Sequence, residues 1–326
     1  MSDPINVLVT SAGRRVQLVR FFQRALADLR LGGSVVTTDL NPEWSAAART
    51  ADASFRSPPV SAQTYAEFLC DLVRREKIGL IVPTIDTELY SLALLRECFA
   101  SAGCSVAISD PDLIAFARDK RLSNEWFQTI GCESPKMFDA NRLSFPCFAK
   151  PFDGSLSRGA RPLLTRDMAS LDVLRDPRMM FMELFAPDQF DEYTIDTYYD
   201  RSGTLRCLVP RLRVEVRGGE ISKGLTVRGA LYDYLWPRLA CVKGARGCLT
   251  FQFFASKSDE RWVAIEVNPR FGGGYPLSYF AGANYPEWLL REYLLGQDIA
   301  DFDGWREGTA MVRHDEEIIF RADCPQ

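Results

Sequence analysis

The chain has one histidine, His314, among its 326 residues. That scarcity argues against a zinc site built on imidazoles and against a Ser-His-Asp triad, so any metal would be held mainly by oxygen. Paired cysteines are missing too. Cys70, Cys98, Cys104, Cys132, Cys147, Cys207, Cys241, Cys248 and Cys324 fall at irregular spacings with no C-x-x-C, which fits reduced core thiols of a cytoplasmic protein. Neither sign of charge dominates: 39 Lys plus Arg stand against 43 Asp plus Glu, a formal net charge of -4. No global basic field therefore recruits nucleic acid or an anionic membrane. No apolar run is long enough to span a bilayer. The opening "MSDPINVLVTSAGRR" enters a strand pattern directly, where a secretory leader would show a basic start and an apolar stretch.

A dinucleotide fingerprint is also absent. The turn "TSAGRR" after the first strand pattern has one glycine where G-x-G-x-x-G would be needed, and Asp39 is a weak ribose ligand on its own. The same turn leads into a helix N-terminus which, with Arg14 and Arg15, suits an anion; it reads equally as a plain turn with two solvated arginines.

What is present begins with 47% apolar residues and a strand-helix alternation over the first hundred positions. Strands are predicted at 5–10, 34–39, 79–84 and 105–109, and helices after Gly13, over 65–76 and over 88–102. This order predicts a doubly wound parallel α/β sheet. Helices near 112–118 and 121–130 then lead into short strands, "FPCFAKP" and "ARPLLT", around a Gly- and Ser-rich loop, with a helix at about 167–174. From about 203 to 310 a mostly antiparallel sheet is expected, containing "LRCLVPRLRVEV", "GCLTFQFFAS" and "RWVAIEVNP". The fold class is α/β plus α+β.

Several polar residues occupy strand patterns. Lys150 closes a strand ahead of "PFDGSLSRGA", a loop whose amides suit phosphate oxygens, although the Walker pattern is missing and a hairpin loop is the plainer account. Glu183 and Glu192 lie on successive strands and suit a ribose hydroxyl or an amino group, or are simply solvated acids. Gln252 sits between two phenylalanines. In "IEVNPRFGGG", alternation puts Glu266, Asn268 and Arg270 on one face and Ile265 and Val267 on the core face. Antiparallel pairing of these two strands would gather three oxygen donors suited to magnesium, with Arg270 able to clamp a phosphoryl group. Arg211 and Arg213 alternate onto one face and, with Lys223, suit a carboxylate or acyl phosphate; a basic edge strand is the alternative. Asp86 and Glu88, past the third predicted strand, suit an amine; helix N-capping by Asp86 or Thr87 is the alternative.

Taken in order, Lys120, Lys150 with its loop, Glu183, Glu192, Gln252 and "EVNPR" resemble the ATP-grasp superfamily, and more closely its carbamoyl phosphate synthetase large-subunit-like branch, over nearly the whole chain. The resemblance implies a pre-ATP-grasp domain at 1–111, a small subdomain at 112–190 and a large subdomain at 191–326. It implies ATP with Mg2+, or Mn2+ in its place. Lys120, Lys150, Gly154, Ser155, Ser157, Arg158 and Gly159 would contact or cover the triphosphate. Glu183, Leu184 and Phe185 would meet adenine, and Glu192 the ribose. Gln252, Glu266 and Asn268 would hold the metal, and Arg270 would stabilise the transferred phosphoryl group; Arg211 and Lys223 join the candidate catalytic set on strand alternation alone. The implied activity is an ADP-forming carboxylate-amine ligase acting on small molecules, with a non-catalytic nucleotide sensor as the alternative and a homodimer as one expected assembly. Only one ATP-grasp copy is present, where the synthetase large subunit carries two.

Overall fold

The computed structural model describes residues 5–154 and 158–321. Three sheets organise it. The first is parallel and five-stranded, in the order Ala53–Arg56, Val35–Asp39, Asn6–Val9, Ile78–Val82, Ser105–Val106. Its central strand is buried on both faces, with Val7, Leu8 and Val9 fully inaccessible. Helices Val16–Asp28 and Tyr65–Arg75 press opposite apolar stripes against the sheet, as continuous hydrophobic strands require.

Alternation anticipated this sheet but not its edge strand Ala53–Arg56, whose residues are half-buried or exposed and carry little apolar signal. The single helix expected over 88–102 is two, Asp86–Leu94 and Arg96–Ser101. On the outer helices the Cys70 and Cys98 sulfurs stand 3.1 Å apart.

The second sheet is antiparallel and four-stranded, Met137–Phe138, Met179–Glu183, Cys147–Pro151, Arg161–Leu163. The third has six antiparallel strands in the order Trp262–Asn268, Gly247–Ser256, Phe190–Tyr199, Leu205–Arg217, Glu220–Thr226, Ala310–Val312. One face of this last sheet is apolar: Ile195, Phe251, Phe253 and Val267 pack beneath helices Lys120–Thr129 and Ala230–Leu239. Helices Ala230–Leu239, Tyr275–Ala281 and Tyr285–Tyr293 interrupt the stretch read as mostly sheet. Each holds a proline, and their aromatic-rich sequences obscure a helical period. Among the described residues no helix is long and apolar enough to cross a membrane.

Candidate functional site

The other face of the six-stranded sheet is polar, and its residues fall in rows. Arg211, Thr194, Gln252 and Glu266 stand side by side on four adjacent strands. Asp196, Thr250 and Asn268 form the next row. Period-two alternation along each strand and fixed antiparallel register across them produce this grid. Gln252 faces Glu266 directly, as antiparallel pairing of the two sequence segments predicts.

The alternation expected for "IEVNPR" fails at one residue. The register slips between Gln252 and Phe253, whose partners are Glu266 and Ala264, so Ile265 is skipped. Such a bulge re-aims a side chain. Val267 stays in the core, whereas Ile265 lines a cavity of about 600 Å³ that the polar grid floors.

The four- and six-stranded sheets both contribute strand residues to that cavity, and the loop and helix that follow strand Ile78–Val82 close one side of it. Lys150 is only 8% exposed, makes no side-chain hydrogen bond among the described residues and lines the cavity. Burial pulls its ammonium down to about 8, against the opposing pull of Glu266. Lys120 donates to the Gly154 carbonyl at 2.6 Å and lies 3.7 Å from Glu266 Oε2. Burial disfavours the Glu266 carboxylate, but Lys120, Lys150, a hydrogen bond from Asn268 and Arg270 outweigh it and hold the group below the ordinary range. Burial raises Glu192, and nearby Glu266 adds to that, while Arg213 opposes it with a 2.6 Å contact. Arg270 grips Asp86 at 2.7 and 3.0 Å.

An apolar slot adjoins the lysines. Phe148, Met182, Phe185, Phe254 and Ile265 line it, with Phe185 stacked on Phe254 at 5.0 Å. Strand Met179–Glu183 ends there, and the backbone groups of Leu184 and Phe185 make no hydrogen bond among the described residues. Unpaired peptide groups beside an apolar slot suit the edge and face of a heterocyclic base. Glu183 turns toward Arg261, 3.0 Å away.

Most expected residues meet here: Lys120, Lys150, Gly154, Arg158, Glu183, Leu184, Phe185, Glu192, Arg211, Gln252, Glu266, Asn268 and Arg270 all line the cavity. Gly159 packs on Pro151 and is not part of the wall. Ser155 and Ser157 lie outside the described residues. Lys223 does not join Arg211 and Arg213. Two register shifts in the hairpin place it opposite Glu215, with which it pairs at 2.6 Å on the surface. Glu88 is no substrate contact: fully buried, it accepts from Ser11, Tyr65 and the Thr84 and Ile85 amides. Asp86, two residues earlier, does line the wall. Asp39 accepts from the Gly13 and Asn41 amides, a loop-shaping task.

The grid also fits a hard divalent ion. Gln252, Glu266 and Asn268 offer one ionised carboxylate and two amide oxygens. No cluster of three or more His, Cys, Asp or Glu exists among the described residues, so a metal would need this mixed set plus ligand oxygens. Arg211, at the end of the first row, has its own arrangement. It is 1% exposed, donates from Nη2 to Asp196 at 2.9 Å, and leaves Nη1 without a hydrogen bond among the described residues. Sequence reasoning missed Asp196, Glu220 and the wall formed by Gly272, Gly273 and Gly274. The glycine run itself was the available signal, because a Cβ on Gly274 would collide with Arg211 and Ile221.

Residues 7–107 match the family model described as the PylC-like N-terminal domain, and residues 175–316 match that of ATP-grasp in the biosynthetic pathway with Ter operon. No curated protein matches. Among solved structures, the biotin carboxylase domain of Hydrogenobacter thermophilus 2-oxoglutarate carboxylase, in complex with MgADP, ADP and bicarbonate, superposes with a TM-score of 0.70 at 17% identity, covering 94% of this chain and 73% of that one. L-amino acid ligase from Bacillus licheniformis gives 0.69 at 16%, covering 93% and 77%. Staphylococcus aureus N5-carboxyaminoimidazole synthetase complexed with ADP gives 0.69 at 14%, covering 91% and 79%. At such identities these structures share the fold.

Proposed function

The chain belongs to the ATP-grasp superfamily, and from that premise we propose that it is an ATP-dependent, ADP-forming ligase joining a small carboxylate to an amine or similar nucleophile. The observation that carries this reading is Lys150, a buried ammonium with no hydrogen-bond partner among the described residues, opening on a cavity beside Glu266. A folded protein keeps such an uncompensated cation at a cost in stability, which an anionic ligand offsets.

Lys120 and Lys150 bind the triphosphate, with Gly154 and Arg158 beside it. The slot from Glu183 to Phe185 takes adenine, with Glu192 toward the ribose. Gln252, Glu266 and Asn268 would hold Mg2+, or Mn2+ in its place, which when bound shields phosphate oxygens from an approaching anion. Arg270, held by Asp86, and Arg211 stabilise the charge of the transferring phosphoryl group. A carboxylate oxygen of the substrate attacks the γ-phosphorus, ADP leaves, and an acyl phosphate remains. The nucleophile then adds to its carbonyl carbon and expels phosphate.

The division into 1–111, 112–190 and 191–326 belongs to the same proposal, with ATP held between the last two. So do a cytoplasmic setting and a homodimer, the assembly named for the 2-oxoglutarate carboxylase domain.

The test is product identity. The protein is incubated with Mg-ATP and pooled small acids and amines, and nucleotide and masses are read; the acid of the active pair is then labelled with ¹⁸O in its carboxylate. ADP together with phosphate carrying one label supports the reading. AMP, or unlabelled phosphate, contradicts it.

A further inference from the structure

One wall of the cavity carries charges that the phosphoryl-transfer groups do not use. Arg15 stands at the start of helix Val16–Asp28, and its guanidinium lines the cavity. It makes no side-chain hydrogen bond among the described residues; the nearest acid is Glu220, 3.7 Å away. Glu220 is already taken, because its Oε2 accepts from Arg313 at 2.8 Å and lies 3.9 Å from Arg14. Asp86 is likewise engaged by Arg270.

Four guanidinium groups, those of Arg14, Arg15, Arg270 and Arg313, thus face two carboxylates, Asp86 and Glu220. The surplus is concentrated on Arg15, which is four-fifths buried. Burial, and then the neighbouring Arg270 charge, lowers it to about 10, so it remains a cation at neutral pH. The helix it begins has no acid in its first turn and no capping side chain, so its positive end adds to the same field. Gly273 keeps the approach open, since a Cβ there would stand 2.8 Å from Arg15 Nη1 and 2.6 Å from Glu220 Oε1.

We propose that Arg15, with Gly273 and the Arg313-held Glu220, forms a subsite for a second anionic group of the substrate, a carboxylate or a phosphate, in addition to the carboxylate that is activated. The substrate class is an acid with two anionic groups. As a statement about substrate, this rests on the ligase reading. As a binding site it stands alone.

The full chain is titrated calorimetrically, with and without saturating Mg-ADP, with two matched pairs: propionate against succinate, and glycerate against 3-phosphoglycerate. At least one dianion is expected to bind about 10-fold or more tightly than its partner, as one charged hydrogen-bonding group warrants. The pair showing the preference tells carboxylate from phosphate. Arg15→Gln is expected to remove most of the preference while Mg-ADP affinity is unchanged, and Arg15→Lys to keep part of it. Should Arg15→Gln fail to fold, Gly273→Ala reads the same preference. Equal binding within both pairs, no binding of either dianion, or a preference that survives Arg15→Gln overturns the subsite. Loss of Mg-ADP binding alone would instead count against the ligase reading.

Discussion

Arg270 and Asp86 are joined by two hydrogen bonds, 2.7 and 3.0 Å long, across 184 positions of sequence. One residue follows the last strand of the polar grid, and the other starts a helix above the parallel sheet. The pair therefore fixes Arg270 from the N-terminal domain. Asp86→Asn keeps the shape but removes the charge. It is expected to lower Tm, with a loss of about 2 kcal/mol for a charged hydrogen-bonded pair that is partly screened, and to reduce kcat more than it raises KM for ATP. An unchanged kcat, measured beside thermal unfolding, would mean that Arg270 needs no such anchor.

The proposed contact of Lys150 with the nucleotide predicts that binding depends on pH. Burial lowers its folded-state value to about 8, below the ordinary lysine range. The unfolded chain binds the extra proton between the two values, so this group's contribution to stability rises as pH climbs from about 8 toward the unfolded value of about 10.4. Ligand affinity runs the other way, because the cation is lost over the same window. The Kd for Mg-ADP, taken from pH 6.5 to 9.5, is expected to be flat and then to weaken above about 8. Lys150→Gln should bind weakly and show no such break.

Gly274 tests the wall behind Arg211. Its backbone has negative φ, so alanine meets no conformational objection, yet a methyl there collides with Arg211 Nη1 and Ile221. Gly274→Ala is expected to destabilise the protein by about 1–3 kcal/mol, the usual cost of overpacking. Gly296→Ala meets no neighbour but sits at positive φ, so it separates strain from collision. A Gly274→Ala protein as stable as the parent would show that Arg211 has room to move.

Much of this architecture was legible in sequence because hydrophobic period and strand alternation are local. The parallel strands and the facing of Gln252 and Glu266 followed, whereas the grouping of Lys120 and Lys150 at one site came only from the family resemblance. Ile265 did not, because a bulge depends on the partner strand. Lys223 was misplaced for the same reason: two register shifts in its hairpin turn it toward Glu215. Glu88 looked like an available acid, yet two distant segments close over it through Ser11 and Tyr65, and the nearby Thr84 amide completes the cover. The aromatic helices after Gly272 lacked a readable period, and the edge strand Ala53–Arg56 lacked apolar content.

The central claim, that Lys150 and Glu266 hold Mg-ATP for phosphoryl transfer, is met most directly by the rate of ADP formation on the pooled acids and amines. Wild type, Lys150→Ala and Glu266→Ala are compared, with circular dichroism confirming the fold of each. A fall on the order of 10²-fold or more in both variants is predicted, the scale of lost electrostatic stabilisation. Near-normal rates in both folded variants would contradict the assignment of the site.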